Sequence, residues 1–363
     1  MAATLVSSLK SIKDAFHSQK SDERILDRFR RACYIAAMRL RLPNVIFLIA
    51  CCLLNSACLR KERPVGFRIA VIPQKTSTAY WRAVHGGAIK AERELEAAGV
   101  DVDIHWRGPT SRHDATYQGQ LLSNFVSNRI SGIVLAPSDP DKLAATVSEA
   151  MGAEIPVLIM DAPINTEDYV SLVKTGQEKA GQLAAKQLTR LINGKGTVAL
   201  LGSDSPSVNE QARYQGAMTA LKDIEGIVTV PGKNETPKDV RKRLAAGEID
   251  AVFCLTTEIT EETLVTLRQS GKSGGRVKVV GWDVTETAEE DLTTGDLQAL
   301  IVQDPLQMGY LAVLGVVGHL SGNELDKEVD TGAFLVTKES LLNRRIQELL
   351  KPPLEELLKG VPR

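Results

Sequence analysis

The sequence predicts an α/β protein of two similar lobes, each a doubly wound parallel sheet. Three observations carry that reading. From Phe67 onward, short apolar runs alternate with helix-period segments, the pattern of successive βαβ units. The apolar runs are near-continuous Val, Ile and Leu, as in strands covered on both faces. After Asp161 the pattern starts again, which reads as a duplication.

In the first half, Phe67–Ile72 reads as a strand and Ala79–Ala98 as an amphipathic helix. Val102–Trp106 is a strand before a helix over Ala115–Asn128, and Gly132–Ala136 a strand before a helix over Asp139–Met151. Pro156–Asp161 closes the half as a strand. In the second half the strands are Thr197–Leu201, Ile227–Val230, Ala251–Leu255 and Val277–Asp283. The helices between them are Val208–Ile224, Pro237–Ala245 and Glu261–Ser270. A further strand ends at Gln303, and Pro305 suits the first turn of the helix that follows.

The chain has 363 residues, with 44 Lys+Arg against 45 Asp+Glu. That length suits about two domains, with enough core to need no metal or disulfide. A formal net charge of −1 argues against a nucleic-acid binder, which carries a basic surplus. The five His are scattered and no Cys-x-x-Cys occurs, so neither a metal nor a cofactor is expected.

Residues 1–57 read as an N-terminal extension and export segment. The apolar run Val45–Leu54 falls short of the roughly 20 residues that span a bilayer. Arg39 and Arg41 precede it and Asn55-Ser-Ala-Cys58 follows, the layout of a secretory signal that would begin at Met38. Small residues followed at once by Cys resemble a bacterial lipobox, which implies lipidation at Cys58. Cys51 is the alternative, with a shorter apolar region before it. Ile25, Leu26, Phe29 and Cys33 recur at helical spacing among arginines and receive no function. Cys254, in the run Ala251–Leu255, is expected to be a buried small hydrophobe.

In open parallel sheets, ligands bind beyond the carboxyl ends of the strands. Asp161 and Asp283 both stand there, at matching places in the two halves. If the lobes face each other, the two carboxylates line one cleft; the alternative for each is a helix cap or a turn. The loop Pro73-Gln-Lys-Thr-Ser-Thr-Ala-Tyr-Trp81 brings Gln74, Thr78, Tyr80 and Trp81 to the same edge. Only 4% of the chain is aromatic, so adjacent Tyr80 and Trp81 are informative: aromatic faces suit the C–H face of a sugar ring. Arg213 either donates into the cleft or pairs on the surface with Glu210. Gln303 ends a strand where its amide can reach the cleft.

Residues 67–345 resemble the type I periplasmic substrate-binding proteins, in their ribose-binding-like branch. The pieces that carry the resemblance are Ile155-Pro-Val with Asp161, Val279-Val-Gly-Trp-Asp283, and Gln303-x-Pro305-x-x-Met308-Gly309. The resemblance implies lobe 1 from 66–175 plus 303–331 and lobe 2 from 176–302 plus 332–350, joined by a three-crossing hinge. It implies a monomeric, non-enzymatic protein that captures a sugar-like solute and delivers it to an ABC transporter permease. Carried over by position, the ligand contacts are Gln74, Thr78, Tyr80, Trp81, Asp161, Gln211, Arg213, Thr256, Asp283 and Gln303. Sugar binders of this branch often carry Asp-Arg where this chain has Asp161-Ala162, and Asn-Asp where it has Thr256-Thr257. The loop at Lys233-Asn234 lacks the usual aromatic. The Gly108-Pro-Thr110 turn is similar to relatives that bind modified sugars.

The expected place is the periplasm or cell envelope, with the membrane reached only through the lipid. The alternative function is a periplasmic sensor presenting its solute to a membrane receptor. A transcriptional regulator would need a helix-turn-helix that residues 1–37 are too short to supply with a hinge. For an enzyme, no nucleotide-binding or nucleophile-elbow motif occurs.

Overall fold

The computed structural model describes residues 66–111, 114–231 and 236–361. The apolar segment Val45–Leu54, the helical spacing around Ile25–Cys33, Cys51, Cys58 and the Lys233-Asn234 loop lie outside the described residues.

The first sheet takes β1 (Phe67–Ile72), β2 (Val102–Trp106), β3 (Gly132–Leu135), β4 (Val157–Met160), β5 (Leu172–Lys174) and β11 (Glu328–Asp330). The second takes β6 (Gly196–Leu201), β7 (Ile227–Val230), β8 (Ala251–Cys254), β9 (Lys278–Trp282), β10 (Ala299–Val302) and β12 (Phe334–Val336). Their orders are β11-β5-β4-β3-β1-β2 and β12-β10-β9-β8-β6-β7, so the two halves match strand for strand. Each sheet separates two cores by the period-2 alternation of its strands. In β1, Ile69 and Val71 enter one core and Ala70 and Ile72 the other. In β6, Val198 and Leu200 go one way and Ala199 and Leu201 the other.

The helices are α1 (Ala79–Ala97), α2 (Ala115–Ser127), α3 (Ala144–Gly152), α4 (Gln177–Leu191), α5 (Val208–Leu221), α6 (Pro237–Ala246), α7 (Thr257–Gln269), α8 (Ala288–Thr294), α9 (Pro305–Leu320), α10 (Arg344–Leu350) and α11 (Leu354–Leu357). The shorter helices α8, α10 and α11 lie outside the sequence reading, and α3, α7 and α4 depart from it. Helix α3 starts later than Asp139 because the Asp139 carboxylate accepts the Asp141 and Lys142 N–H groups in a turn. Helix α7 starts earlier than Glu261 because Thr256 caps it, its hydroxyl accepting from Ile259 N. Helix α4 was not expected at all. Its buried face is Ala180, Gly181, Ala184, Ala185 and Leu188, too small in side chain to read as an apolar stripe.

Those small residues have a purpose. A Cβ on Gly181 of α4 would lie 2.0 Å from the Arg213 carbonyl of α5, and one on Gly216 of α5 would lie 2.0 Å from the Glu178 carbonyl of α4. The first lobe repeats the device. A Cβ on Gly87 of α1 would lie 1.9 Å from the Leu306 carbonyl of α9, and one on Gly309 of α9 would lie 2.0 Å from the Val84 carbonyl of α1. In both lobes a crossing helix thus packs backbone to backbone on the helix that follows the first strand.

The chain passes between sheets after β5, β10 and β11, always at a strand's carboxyl end. This explains β12, which pairs antiparallel with β10 although the other pairings of both sheets are parallel. A chain leaving β11 at its cleft end enters the second sheet from the cleft, against the direction of its neighbours. Past α10 the chain returns to the first lobe. Leu354 and Leu357 lie against Gly86 of α1, and the Arg93 guanidinium donates to the Glu356 and Lys359 carbonyls.

Candidate ligand-binding site

The two strand-end aspartates share a backbone as well as a position. Asp161 has φ +68° and Asp283 φ +53°, both in the left-handed region. An L-residue there costs roughly 1–2 kcal/mol, and Asp is among the side chains that tolerate it best. Asp161 N donates to Val173 O at 2.9 Å and Asp283 N to Ile301 O at 2.8 Å, so each is anchored by the next strand of its own sheet. Neither is a helix cap. The same strained kink in both lobes turns a carboxylate toward the opening.

In the first lobe, the Tyr80 hydroxyl donates to Asp161 Oδ1 at 2.9 Å, with Met308 Sδ at 3.5 Å behind it. Gln74 Nε2 donates to the Pro137 carbonyl at 3.0 Å and to Asp161 Oδ2 at 3.4 Å. The second lobe reaches across. Asn209 Nδ2, in the first turn of α5, donates to Asp161 Oδ2 at 3.3 Å and to its carbonyl at 3.4 Å. Burial pushes the Asp161 carboxyl up to about 6, against the Tyr80 hydroxyl bond and the Arg213 charge that pull it down. The Tyr80 phenol is pushed well up, first by burial and then by Asp161.

In the second lobe a directional relay orients Asp283. Arg213 Nη1 donates to Gln177 Oε1 at 3.3 Å, and Gln177 Nε2 donates to Gln303 Oε1 at 3.0 Å. Gln303 Nε2 then donates to Asp283 Oδ2 at 2.7 Å, and Gln303 N donates to Oδ1 at 2.9 Å. Burial raises the Asp283 carboxyl too, partly offset by these two bonds. The Arg213 guanidinium lies over the Trp282 ring at 3.9 Å. It does not pair with Glu210, whose oxygens accept from Ser203 N and Oγ at 2.6 and 2.7 Å. Burial lowers Arg213, yet a guanidinium stays charged in proteins.

Gln118 holds the first-lobe loops. Fully buried, it donates to the Pro73 and Ala136 carbonyls at 3.0 and 2.7 Å and accepts from Ser138 N and Oγ at 2.9 and 2.8 Å. The Gly108-Pro-Thr110 turn supports the same loop: Thr76 N donates to Pro109 O at 2.9 Å and Ser77 Oγ to Thr110 O at 3.2 Å.

The structure thus brings Gln74, Tyr80, Asp161, Arg213, Asp283 and Gln303 together. Thr78 and Thr256 cap α1 and α7, Thr78 accepting from Trp81 N at 3.5 Å. Two residues lie outside this hydrogen-bond network. Gln211 is exposed, its amide donating to Pro206 O at 3.1 Å. Trp81 is 3% exposed within the first-lobe core and touches the site group through an edge-to-face contact with Tyr80 at 5.1 Å. Asn209 and Gln177 were missed. Helical spacing held the signal for Asn209, because it lies four residues before Arg213 and shares its face, whereas Gln211 does not. Cys254 is buried as expected, and burial pushes its thiol up to about 12. Among the described residues no group of His, Cys, Asp and Glu is placed to hold a metal.

A cleft between two facing α/β lobes, with one carboxylate from each, defines a two-lobed small-solute binder. The chain belongs to the periplasmic binding protein domain family, whose model matches residues 69–324. It is 24% identical over 318 residues to a putative rhizopine-binding protein of Rhizobium meliloti, covering 83% of this chain and 98% of that one. It is 27% identical over 214 residues to the ribose import binding protein of Escherichia coli, covering 57% and 71%. An Agrobacterium radiobacter carbohydrate transporter solute-binding protein in complex with D-arabinose matches with TM-score 0.69 and 25% identity, over 79% of this chain and 99% of that one. An Agrobacterium vitis ABC transporter solute-binding protein bound to α-D-tagatopyranose shares the fold, with TM-score 0.69 at 22% identity over 78% and 99%.

Proposed function

We propose that this chain is an extracytoplasmic solute-binding protein that captures a sugar or sugar-like polar ligand between its lobes and delivers it to an ABC importer. The observation that carries this is the pair Asp161 and Asp283, set on equivalent left-handed kinks and each retaining acceptor sites for ligand hydroxyls. The ligands named for its relatives, ribose and D-arabinose among them, are of that class. The lobes are 66–175 plus 303–331 and 176–302 plus 332–350, hinged near Thr175, Gln303 and Thr331. At that hinge the Thr175 and Thr331 hydroxyls lie 3.2 Å apart, and Gly176 N donates to Asp330 Oδ1 at 2.8 Å. The protein is a monomer, exported and lipid-anchored at Cys58. Mass spectrometry of the native protein then finds an acylated peptide beginning Cys58-Leu-Arg60; an unmodified Met1 in a cytosolic pool contradicts the anchor.

A thermal-shift screen of pentoses, hexoses, polyols and furanoses tests the function. Ligand at about a hundred times Kd stabilises by about 2.7 kcal/mol, a readily measured rise in Tm. No shift from any member of the panel would refute the sugar-binding reading.

A further inference from the structure

The charges in the cleft do not cancel. Asp161, 7% exposed, and Asp283 face one another across the lobes, and the guanidinium of Arg213, 6% exposed, is the single cation bonded into their network. Around them, Gln74, Tyr80, Asn209, Gln177 and Gln303 are neutral donors and acceptors. The third carboxylate near Arg213, that of Glu210, has its bonds from Ser203 and adds to the negative side. Arg213 itself is turned onto the Trp282 ring and Gln177, and its buried Nε has no hydrogen-bond partner. Among the described residues bonded into this network, carboxylates therefore outnumber cations.

An ionised carboxylate accepts about four hydrogen bonds. Asp283 receives two from Gln303 and one from the Trp282 side chain, and Asp161 receives three, so each has room for one more donor. A neutral sugar hydroxyl fills such a site but leaves the excess negative charge buried, which is costly. An ammonium group brings three donors, no acceptor and the missing charge. The unpartnered Arg213 Nε is a donor, suited to a hydroxyl or ring oxygen elsewhere on the same molecule.

We propose that the cleft selects an amino-bearing sugar or polyol, its ammonium held by Asp161 and Asp283 and its hydroxyl oxygens by Arg213. The inference rests on the sugar-binding reading and narrows it. The upward displacement of Asp161 to about 6 agrees with a buried carboxylate awaiting its countercharge.

The test is calorimetric titration of the full protein with a panel of positional aminodeoxy sugars, their parent sugars and their N-acetyl forms. At least one amino sugar binds about tenfold or more tighter than its parent and its N-acetyl form. In Asp161→Asn and Asp283→Asn, which keep the shape and remove the charge, that ratio falls to about threefold or less. If either variant does not fold, the ratio is measured on the unaltered protein from roughly pH 7 to pH 5, where it falls as Asp161 takes up a proton. A parent sugar that binds as well as every amino form overturns the inference and leaves the sugar-binding reading standing. So does a ratio that survives both substitutions, or one that is flat with pH. Binding by no member of either series overturns both.

Discussion

Gln303→Ala probes how the site is held rather than what it touches. The Gln303 amide is 4% exposed, donates to the Asp283 carboxylate at 2.7 Å and accepts from Gln177 at 3.0 Å. The first bond is to a charged group and contributes roughly 1.5–3 kcal/mol; the second is neutral and contributes roughly 0.5–1.5 kcal/mol. The backbone N–H of residue 303 still donates to Asp283 Oδ1, so the carboxylate keeps one anchor. The variant should lose about 2–4 kcal/mol of stability in urea unfolding. It should also bind its ligand about tenfold more weakly, because Asp283 is free to turn and Gln177 no longer orients Arg213. Gln303→Glu should be worse on both counts, since it sets a carboxylate against Asp283. Wild-type stability and affinity in Gln303→Ala would refute the relay.

Trp81→Ala should destabilise by about 3–5 kcal/mol, the cost of emptying a core site, as melting curves will show; a loss of affinity at unchanged stability would return Trp81 to the cleft. Gly181→Ala places a methyl against the Arg213 carbonyl, so α4 and α5 must part at about 1–3 kcal/mol, with weaker ligand binding because Arg213 moves with α5; a variant of unchanged Tm and affinity would deny that contact. His85, stacked on Trp106 at 4.3 Å, is lowered by burial to about 4, from 6.5 in the unfolded chain. As pH falls the unfolded chain protonates first, so this contribution is complete above 6.5 and fades towards 4, about 3 kcal/mol in all. Asp161 runs oppositely over nearly the same range, so the measurement is a difference: His85→Gln should lose less Tm on acidification than the wild type, and equal losses would contradict the assignment.

Much of this was legible because the strands are short and buried on both faces. Phe67–Ile72 and Val102–Trp106 are read to the residue, the first because its apolar end Ile69-Ala-Val-Ile72 stops at Pro73, the second because Val102, Ile104 and Trp106 alternate with polar residues up to the Gly108-Pro109 turn. The two aspartates were legible through the duplication, though their left-handed backbone was not, because Asp suits many turn conformations. What escaped was whatever depends on partners distant in the chain. Gln118, Gln177 and Asn209 are ordinary helix amides until folding sets them beside Pro73, Gln303 and Asp161. Gly87, Gly181, Gly216 and Gly309 carry no periodic signal, because a missing side chain has no hydropathy; their meaning is the carbonyl on the facing helix.

The central claim is that one carboxylate from each lobe grips the same ligand. Once the sugar screen supplies that ligand, calorimetric titration of Asp161→Ala and Asp283→Ala tests it directly. A hydrogen bond to a charged group contributes roughly 1.5–3 kcal/mol, so each variant should bind about ten- to a hundredfold more weakly while still melting cooperatively. Unchanged affinity in both variants would contradict the account and move the binding site away from the cleft.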